Sequence, residues 1–263
     1  MRLLVSVADE AEARAAVAGG ADIIDAKDPR AGALGPVTDD ALEAICATVG
    51  GRRPVSAALG DAAHETEVER RARARAALGI AFVKVGLAGI RDAARAASLV
   101  RAAIRGAAHE VACGVVVAAY ADWTLHTSPS PASLLTVAAR AGAAGVLLDT
   151  ADKHGPGLRL LVEPDALAAW VARAHDRGLF VALAGKLTAD DLPFAYAMGA
   201  DIAGVRGAAC EGGRTGQVSV EKVCELRAAC EVLDRDSPPD LFPPSRMQAK
   251  EVDEPQHVPR SDR

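Results

Sequence analysis

The chain has 263 residues, 50% hydrophobic and 25% charged, enough for one large domain with a sizeable buried core. A net charge of -5 with no long basic run leaves no electrostatic footprint for nucleic acid, and no stretch is long and apolar enough to span a bilayer. Residues 1–20 lack a signal-peptide pattern, and the five cysteines are odd in number without CxxC spacing, so reduced thiols in a cytoplasmic protein are expected, with no disulfide framework and no metal site.

One phrase recurs along the chain: an Ala-rich segment ending in Gly or a small residue, then four or five apolar residues, then a polar group. It reads AVAGGADIIDAK at 16–27, ALGIAFVKVG at 77–86, AGAAGVLLDT at 141–150, RGLFVALAGK at 177–186 and MGADIAGVRG at 198–207. The Gly suits a helix C-cap and the apolar run a strand covered on both faces. With weaker copies added, strands are predicted at 3–7, 23–26, 54–58, 82–85, 115–119, 145–148, 180–183 and 202–205. Helices are predicted at 10–18, 38–49, 64–78, 91–106, 132–141, 164–177, 189–198 and 219–233, with Thr38 and Ser219 as N-caps. Eight such units within residues 1–233 predict a single (β/α)8 TIM barrel. A doubly wound open sheet ranks second, since the first strand-to-helix turn holds no GxGxxG. From 234 to 263 the pattern stops; six of the fourteen prolines and many charges predict a flexible tail. The Ala-rich helix faces suit self-association, and a homo-oligomer is expected.

In barrels of this kind chemistry gathers at the carboxyl ends of the strands. The polar residues predicted there are Asp25 and Lys27 after the second strand, Lys84 in the fourth, Asp149 and Lys153 after the sixth, Lys186 after the seventh and Arg206 after the eighth. Only six of the thirty basic residues are Lys, and four of those six occupy these ends. Arg cannot lose its proton or form an imine, so Lys at these places fits a need for a titratable, nucleophilic amine. Alternation along a strand puts Ile23, Asp25 and Lys27 on one face, where a structural ion pair is the competing reading. A carboxylate beside Lys27 raises its pKa; desolvation and the other lysines must outweigh it for the amine to act.

Two small-residue turns, LAGK at 183–186 and VRGAACEGGRTG at 205–216, follow the seventh and eighth strands, where barrels often hold phosphate. Gly185, Lys186, Arg206 and Gly207 are the candidate phosphate ligands, although Arg206 could instead pair with a core acid. Tyr120, Asp122 and Trp123 could line a pocket or merely plug the mouth. No two histidines share metal-ligand spacing, and no cofactor is expected.

Several of these strings together resemble one family. ADIIDAKDPRAGALG at 21–35, VKVGL at 83–87, AAYAD at 118–122, LLDTADKHG at 147–155, ALAG at 182–185 and DIAGVRGAAC at 201–210 are similar to the (5-formylfuran-3-yl)methyl phosphate synthases of methanofuran biosynthesis. The resemblance spans about residues 1 to 230. It implies a lyase that condenses two molecules of glyceraldehyde 3-phosphate, with loss of phosphate and water, and places the Schiff-base lysine on Lys27. It further implies essential lysines at Lys84 and Lys153 and acids at Asp25 and Asp149. Lys186 departs from it, standing where the family pattern has Ser. The residues alone leave open a general Schiff-base aldolase acting on another phosphorylated aldehyde or ketone, or an inert barrel that senses a phosphometabolite.

Overall fold

The computed structural model describes residues 1–108 and 113–235; the tail expected beyond that lies outside the described residues. Eight parallel strands close into a barrel in chain order, β1 (Arg2–Val7), β2 (Ile23–Ala26), β3 (Val55–Asp61), β4 (Phe82–Gly86), β5 (Gly114–Tyr120), β6 (Gly145–Asp149), β7 (Phe180–Leu183) and β8 (Ile202–Val205). Between them lie α1 (Glu10–Ala18), α2 (Asp39–Val49), α3 (Glu65–Ala76), α4 (Ala93–Ala107) and α5 (Pro131–Ala141), then α6 (Leu158–Leu161), α7 (Pro164–His175) and α8 (Leu192–Ala197). After β8 a two-stranded hairpin, β9 (Cys210–Glu211) and β10 (Gln217–Val218), precedes α9 (Val220–Arg235). The closed ring is the predicted TIM barrel, and the open sheet is excluded.

Alternation along each strand sorts the core into two layers. Outward residues such as Val5, Ile24, Val83 and Val117 pack against Leu42, Ile45, Leu99 and Leu134 of the helices. Inward residues such as Leu4, Ile23, Phe82, Val116, Leu147 and Ile202 fill the barrel itself. Thr38 caps α2 as expected, its hydroxyl accepting the Ala41 N–H. Three local features depart from expectation. The helix predicted at 189–198 is a 3-10 turn at Ala189–Asp191 followed by α8, because Thr188 and Asp191 cap each other and Pro193 can only enter a helix in its first turn. The short α6 and the β9–β10 hairpin were not expected from the pattern; both are too brief to show a period.

Arg206, expected as an anion ligand, corrects the sequence reading. All five of its N–H groups are taken: Nε by Arg214 O, Nη1 by Ser6 O and Glu12 Oε2, and Nη2 by Gly216 O and Glu12 Oε1 at 2.9 Å. Nothing is left to donate to a ligand. The competing reading, a pair with a core acid, holds: Glu12 in α1 is buried beside it and also accepts the Ala8 N–H. The pair ties α1, β1 and the β9–β10 hairpin together where β8 meets β1. Removing one partner of a buried pair strands the other charge. Glu12→Gln should therefore cost about 3 kcal/mol in urea melts, whereas Glu67→Gln, which breaks an exposed pair with Arg71, should cost under about 1 kcal/mol.

Candidate active site at the barrel mouth

A cavity of about 270 Å³ runs from the mouth of the barrel into its interior. Its floor is apolar, made by Leu4, Ile23, Phe82, Val116, Leu147, Phe180 and Ile202. Nine of the candidate residues named from the sequence line it, namely Asp25, Lys27, Lys84, Asp149, Lys153, Gly185, Lys186, Arg206 and Gly207, whereas Tyr120, Asp122 and Trp123 do not. They arrive from β2, β4, β6, β7 and β8, so residues up to 182 positions apart in the chain are brought together by barrel closure.

Asp25 is the most enclosed group, with no solvent exposure. Register explains its neighbours: Ser6 on β1 and Ser56 on β3 stand level with it on either side. Their hydroxyls donate to its Oδ2 and Oδ1 at 2.9 and 2.7 Å, and the Lys84 ammonium, reaching over from β4, donates to Oδ2 at 2.5 Å. Burial alone would raise the Asp25 pKa, but the charges of Lys84 and Lys27 and the bonds from Lys84 and Ser56 hold it below the usual carboxylate range. It is a fixed anion.

Asp149, at the end of β6, is built differently. Lys153 Nζ and the Thr150 N–H both donate to Oδ1, at 2.6 and 2.8 Å. Oδ2 is buried and has no hydrogen-bond partner among the described residues. Burial again pushes its pKa up, and Lys153 and Lys27 outweigh that to leave it lowered.

Lys27 follows β2, and its backbone N–H continues the ladder to Val7 O at 2.9 Å, which keeps its side chain on the same inner face as Asp25. Unlike Lys84 and Lys153, its amine makes no hydrogen bond or ion pair within the described residues. Desolvation lowers its pKa to about 8; the carboxylates of Asp149 and Asp25 oppose this, while Lys84 and Lys153 reinforce it. Burial and the neighbouring ammonium groups outweigh the carboxylates, which was the condition set by the sequence reading.

The two turns after β7 and β8 present backbone donors. The N–H groups of Gly185, Lys186 and Leu187 have no acceptor among the described residues, and Gly207 and Ala208 open a 3-10 turn whose first N–H groups lack internal partners. Lys186 holds a left-handed backbone (φ 62°) and extends its ammonium to Gly155 O at 2.5 Å, linking the turn to the loop after β6. Two contributors were missed in the sequence. Ser6 and Ser56 are single hydroxyls inside apolar runs, legible only through strand parity. Asp122, left undecided, is buried and accepts the Ala151 and Asp152 N–H groups, both at 2.8 Å, so it fixes the loop that carries Lys153. Tyr120 is fully buried and donates to Asp61 at 2.8 Å, outside the cavity lining. Among the described residues no cluster of three His, Cys, Asp or Glu is arranged for a metal, and no helix is long and apolar enough to cross a membrane.

The lowered pKa of Lys27 carries a stability consequence. Between about 8 and 10.5 the unfolded chain holds a proton that the folded chain has released, so stability rises with pH across that window. Below it the buried ammonium is a full burden. Lys27→Met should thus stabilise the protein at pH 7 by about 3 kcal/mol, with the gain shrinking as pH climbs through the window, as read by urea melts at both ends.

Comparison with known proteins agrees with the barrel. Solved structures with the same fold include phosphoribosyl anthranilate isomerase from Thermus thermophilus, 17% identical with a TM-score of 0.58, covering 89% of this chain and 100% of that one. A 3-hexulose-6-phosphate synthase is 22% identical with a TM-score of 0.55, covering 87% and 99%. Sequence relatives are much nearer. The (5-formylfuran-3-yl)methyl phosphate synthase of Methanocaldococcus jannaschii is 38% identical over 88% of this chain and 100% of its own length. That of Methanopyrus kandleri is 40% identical over 81% and 90%. With the 4-HFC-P synthase model matching residues 3–227 as well, the chain belongs to the 4-HFC-P synthase family, whose named members are (5-formylfuran-3-yl)methyl phosphate synthases.

Proposed function

We propose that this enzyme condenses two molecules of glyceraldehyde 3-phosphate to (5-formylfuran-3-yl)methyl phosphate, releasing one phosphate and two waters, through an imine on Lys27, and so serves methanofuran biosynthesis. The observation that carries the reading is the Lys27 amine, without a hydrogen-bond partner among the described residues and with its pKa lowered to about 8, in a cavity it shares with Asp25, Lys84, Asp149 and Lys153. After enolisation of one triose phosphate to its ketose isomer, the neutral amine adds to the carbonyl and water leaves. The iminium carbon is then the electrophile. The second triose phosphate gives its C2 proton to Oδ2 of Asp149, which has no hydrogen-bond partner among the described residues, and expels phosphate from C3, leaving the enol of a three-carbon ketoaldehyde. The terminal carbon of that enol bonds to the iminium carbon, which sets the branched skeleton of the furan. Lys27 leaves by elimination, the free hydroxyl of the ketose closes on the ketone, and the ammonium of Lys153 supplies the proton for loss of the second water. Asp25, saturated by Ser6, Ser56 and Lys84, holds Lys84 in place beside the site rather than trading protons. The turn at Gly185 and Lys186, with Gly207, holds a phosphoryl group on free backbone N–H groups.

Incubation with glyceraldehyde 3-phosphate alone should give a strongly ultraviolet-absorbing product together with inorganic phosphate. Carbon–carbon bond formation without either would make it an ordinary Schiff-base aldolase, and tight binding without turnover an inert sensor. Borohydride in the presence of substrate should fix an adduct that peptide mass mapping places on Lys27; an adduct elsewhere overturns the assignment. Lys27→Arg keeps the charge and should lose nearly all turnover. Because the amine must be neutral to attack, kcat/KM should climb with pH along an acid limb whose midpoint lies near the value of about 8.

A further inference from the structure

The cavity does not open evenly around the ring. β3, β4 and β5 line it only as far as Ser56, Lys84 and Val116, whereas the chain after β6, β7 and β8 continues the lining to Lys153, Thr188 and Arg214. What fills the β3–β5 side is the tyrosine whose place the sequence left undecided. Tyr120 belongs to the inner core, together with Ala33 and Leu34 of the loop after β2, Ala58 of β3 and Ala118 of β5. The sequence makes room for it, because Ala58, Gly86 and Ala118 are small inward residues on three adjoining strands.

Gly86 locates this plug. It stands two residues after Lys84 on the inner face of β4, on the mouth side of that lysine. A β-carbon there would lie less than 3.0 Å from three atoms: Oδ1 of Asp61, the hydroxyl oxygen of Tyr120 and Cδ1 of Leu34. The tyrosine of β5 and the carboxylate of β3 therefore meet across β4, and Leu34 joins them. The hydroxyl donates to Asp61 Oδ1 at 2.8 Å, and the same oxygen accepts the Ala88 N–H at 2.9 Å, which fixes the tether to the loop after β4. Burial pushes the Tyr120 pKa well above its ordinary value, and the charge and hydrogen bond of Asp61, then the charges of Asp149 and Asp122, add to this, so the phenol stays a neutral donor. Tyr120 itself has no exposure, whereas Asp61 is exposed at the rim.

We propose that Tyr120 is a positioning residue for the chemistry at Lys27: tethered to Asp61 across Gly86, its ring and Leu34 close the β3–β5 side of the mouth, so that water and substrate reach the amines from the other side alone. This rests on the reading above in one respect: Lys27 is the group that has to shed its proton. Burial lowers the Lys27 pKa most, and the charges facing it oppose one another, Asp149 and Asp25 against Lys84 and Lys153. Exclusion of water is therefore what tips the balance, and the plug supplies it over β4, beside the Asp25–Lys84 pair. With that side open, hydration would return to the ammonium form and the amine would hold its proton to higher pH.

The test needs no substrate. Trace acetylation of the full chain with acetic anhydride across a pH series, followed by peptide mass mapping, reads the midpoint at which Lys27 loses its proton. In the wild type it should lie near the value of about 8. Tyr120→Phe removes the tether, and Gly86→Ala forces Tyr120 and Asp61 apart with both groups retained. Each should raise the midpoint by about one pH unit, so that labelling of Lys27 at neutral pH falls about tenfold. Leu34→Ala thins the plug from its loop and should act in the same direction, which serves if either of the others fails to fold. Asp61→Asn keeps the oxygen that accepts from Tyr120 and should leave the midpoint in place, whereas Asp61→Ala should raise it; loss of a negative charge alone would lower it. A midpoint that stays at the wild-type value in Tyr120→Phe, Gly86→Ala and Leu34→Ala, even where urea melts show lost stability, overturns the proposal. Furan formation by a wild type whose variants show that fixed midpoint sinks this inference alone; a midpoint that moves as stated in a chain that forms no furan leaves it standing and sinks the proposed reaction.

Discussion

A carboxylate with no access to water at the centre of the barrel is the constraint from which the site follows. Asp25 must be held as an anion by protein alone, and the parallel register supplies the means by setting Ser6 and Ser56 level with it on the two adjoining strands. The third donor, Lys84, comes from β4, past the small Ala58 that is its register neighbour on β3. Once Asp25 and Lys84 pair, Lys27 has no hydrogen-bonding partner among the described residues and has cations nearby. A buried pair contributes little net stability. What it contributes here is a fixed field in which the neighbouring amine is the group that titrates.

The division between Lys and Arg that stood out in the composition has a counterpart in the packing. Arg75 and Arg206 are buried and spend their forks on main-chain carbonyls: Arg75 on Ala58 and Val37, Arg206 on Ser6, Arg214 and Gly216. A guanidinium can do this because it stays charged and presents several donors at fixed angles. An ammonium is a point charge on a flexible stem, able to lose its proton. The four lysines at the strand ends line the cavity. Arg206, which also lines it, spends two donors on Arg214 O and Gly216 O and so holds the β9–β10 loop.

Much of the architecture was legible because it is periodic. The strands at 23–26, 180–183 and 202–205 have the predicted limits, since a short apolar run between a Gly and a polar residue leaves few alternatives. The inward direction of Asp25 and Lys27 followed from alternation alone. The choice between Arg206 and Arg214 was not legible. Both occupy one small-residue stretch, and the distant Glu12 and Ser6, 194 and 200 positions away, take three of the five donors that saturate Arg206. The roles of Asp122 and of the lone hydroxyls Ser6 and Ser56 were hidden for the same reason: each depends on which strands adjoin, a property of closure that no local window contains.

The cavity's two halves bear on the direction of the proposed chemistry. Above Lys27 lie charges and free N–H groups; below it the lining is Ile23, Phe82, Val116, Leu147, Phe180 and Ile202, with the two phenyl rings meeting edge to face at 5.2 Å. Such a floor offers nothing to a hydroxyl, and an unmet hydroxyl in apolar surroundings costs about 1–3 kcal/mol. A triose adduct is rich in hydroxyls, whereas a furan has lost them to dehydration and presents a flat apolar ring. On the proposed pathway each elimination therefore improves the match between ligand and floor while the one retained phosphoryl group stays at the polar mouth above. The same floor that lowers the Lys27 pKa by excluding water thus also favours the later, less polar states of its substrate, so activation of the amine and the drive towards aromaticity come from one set of side chains.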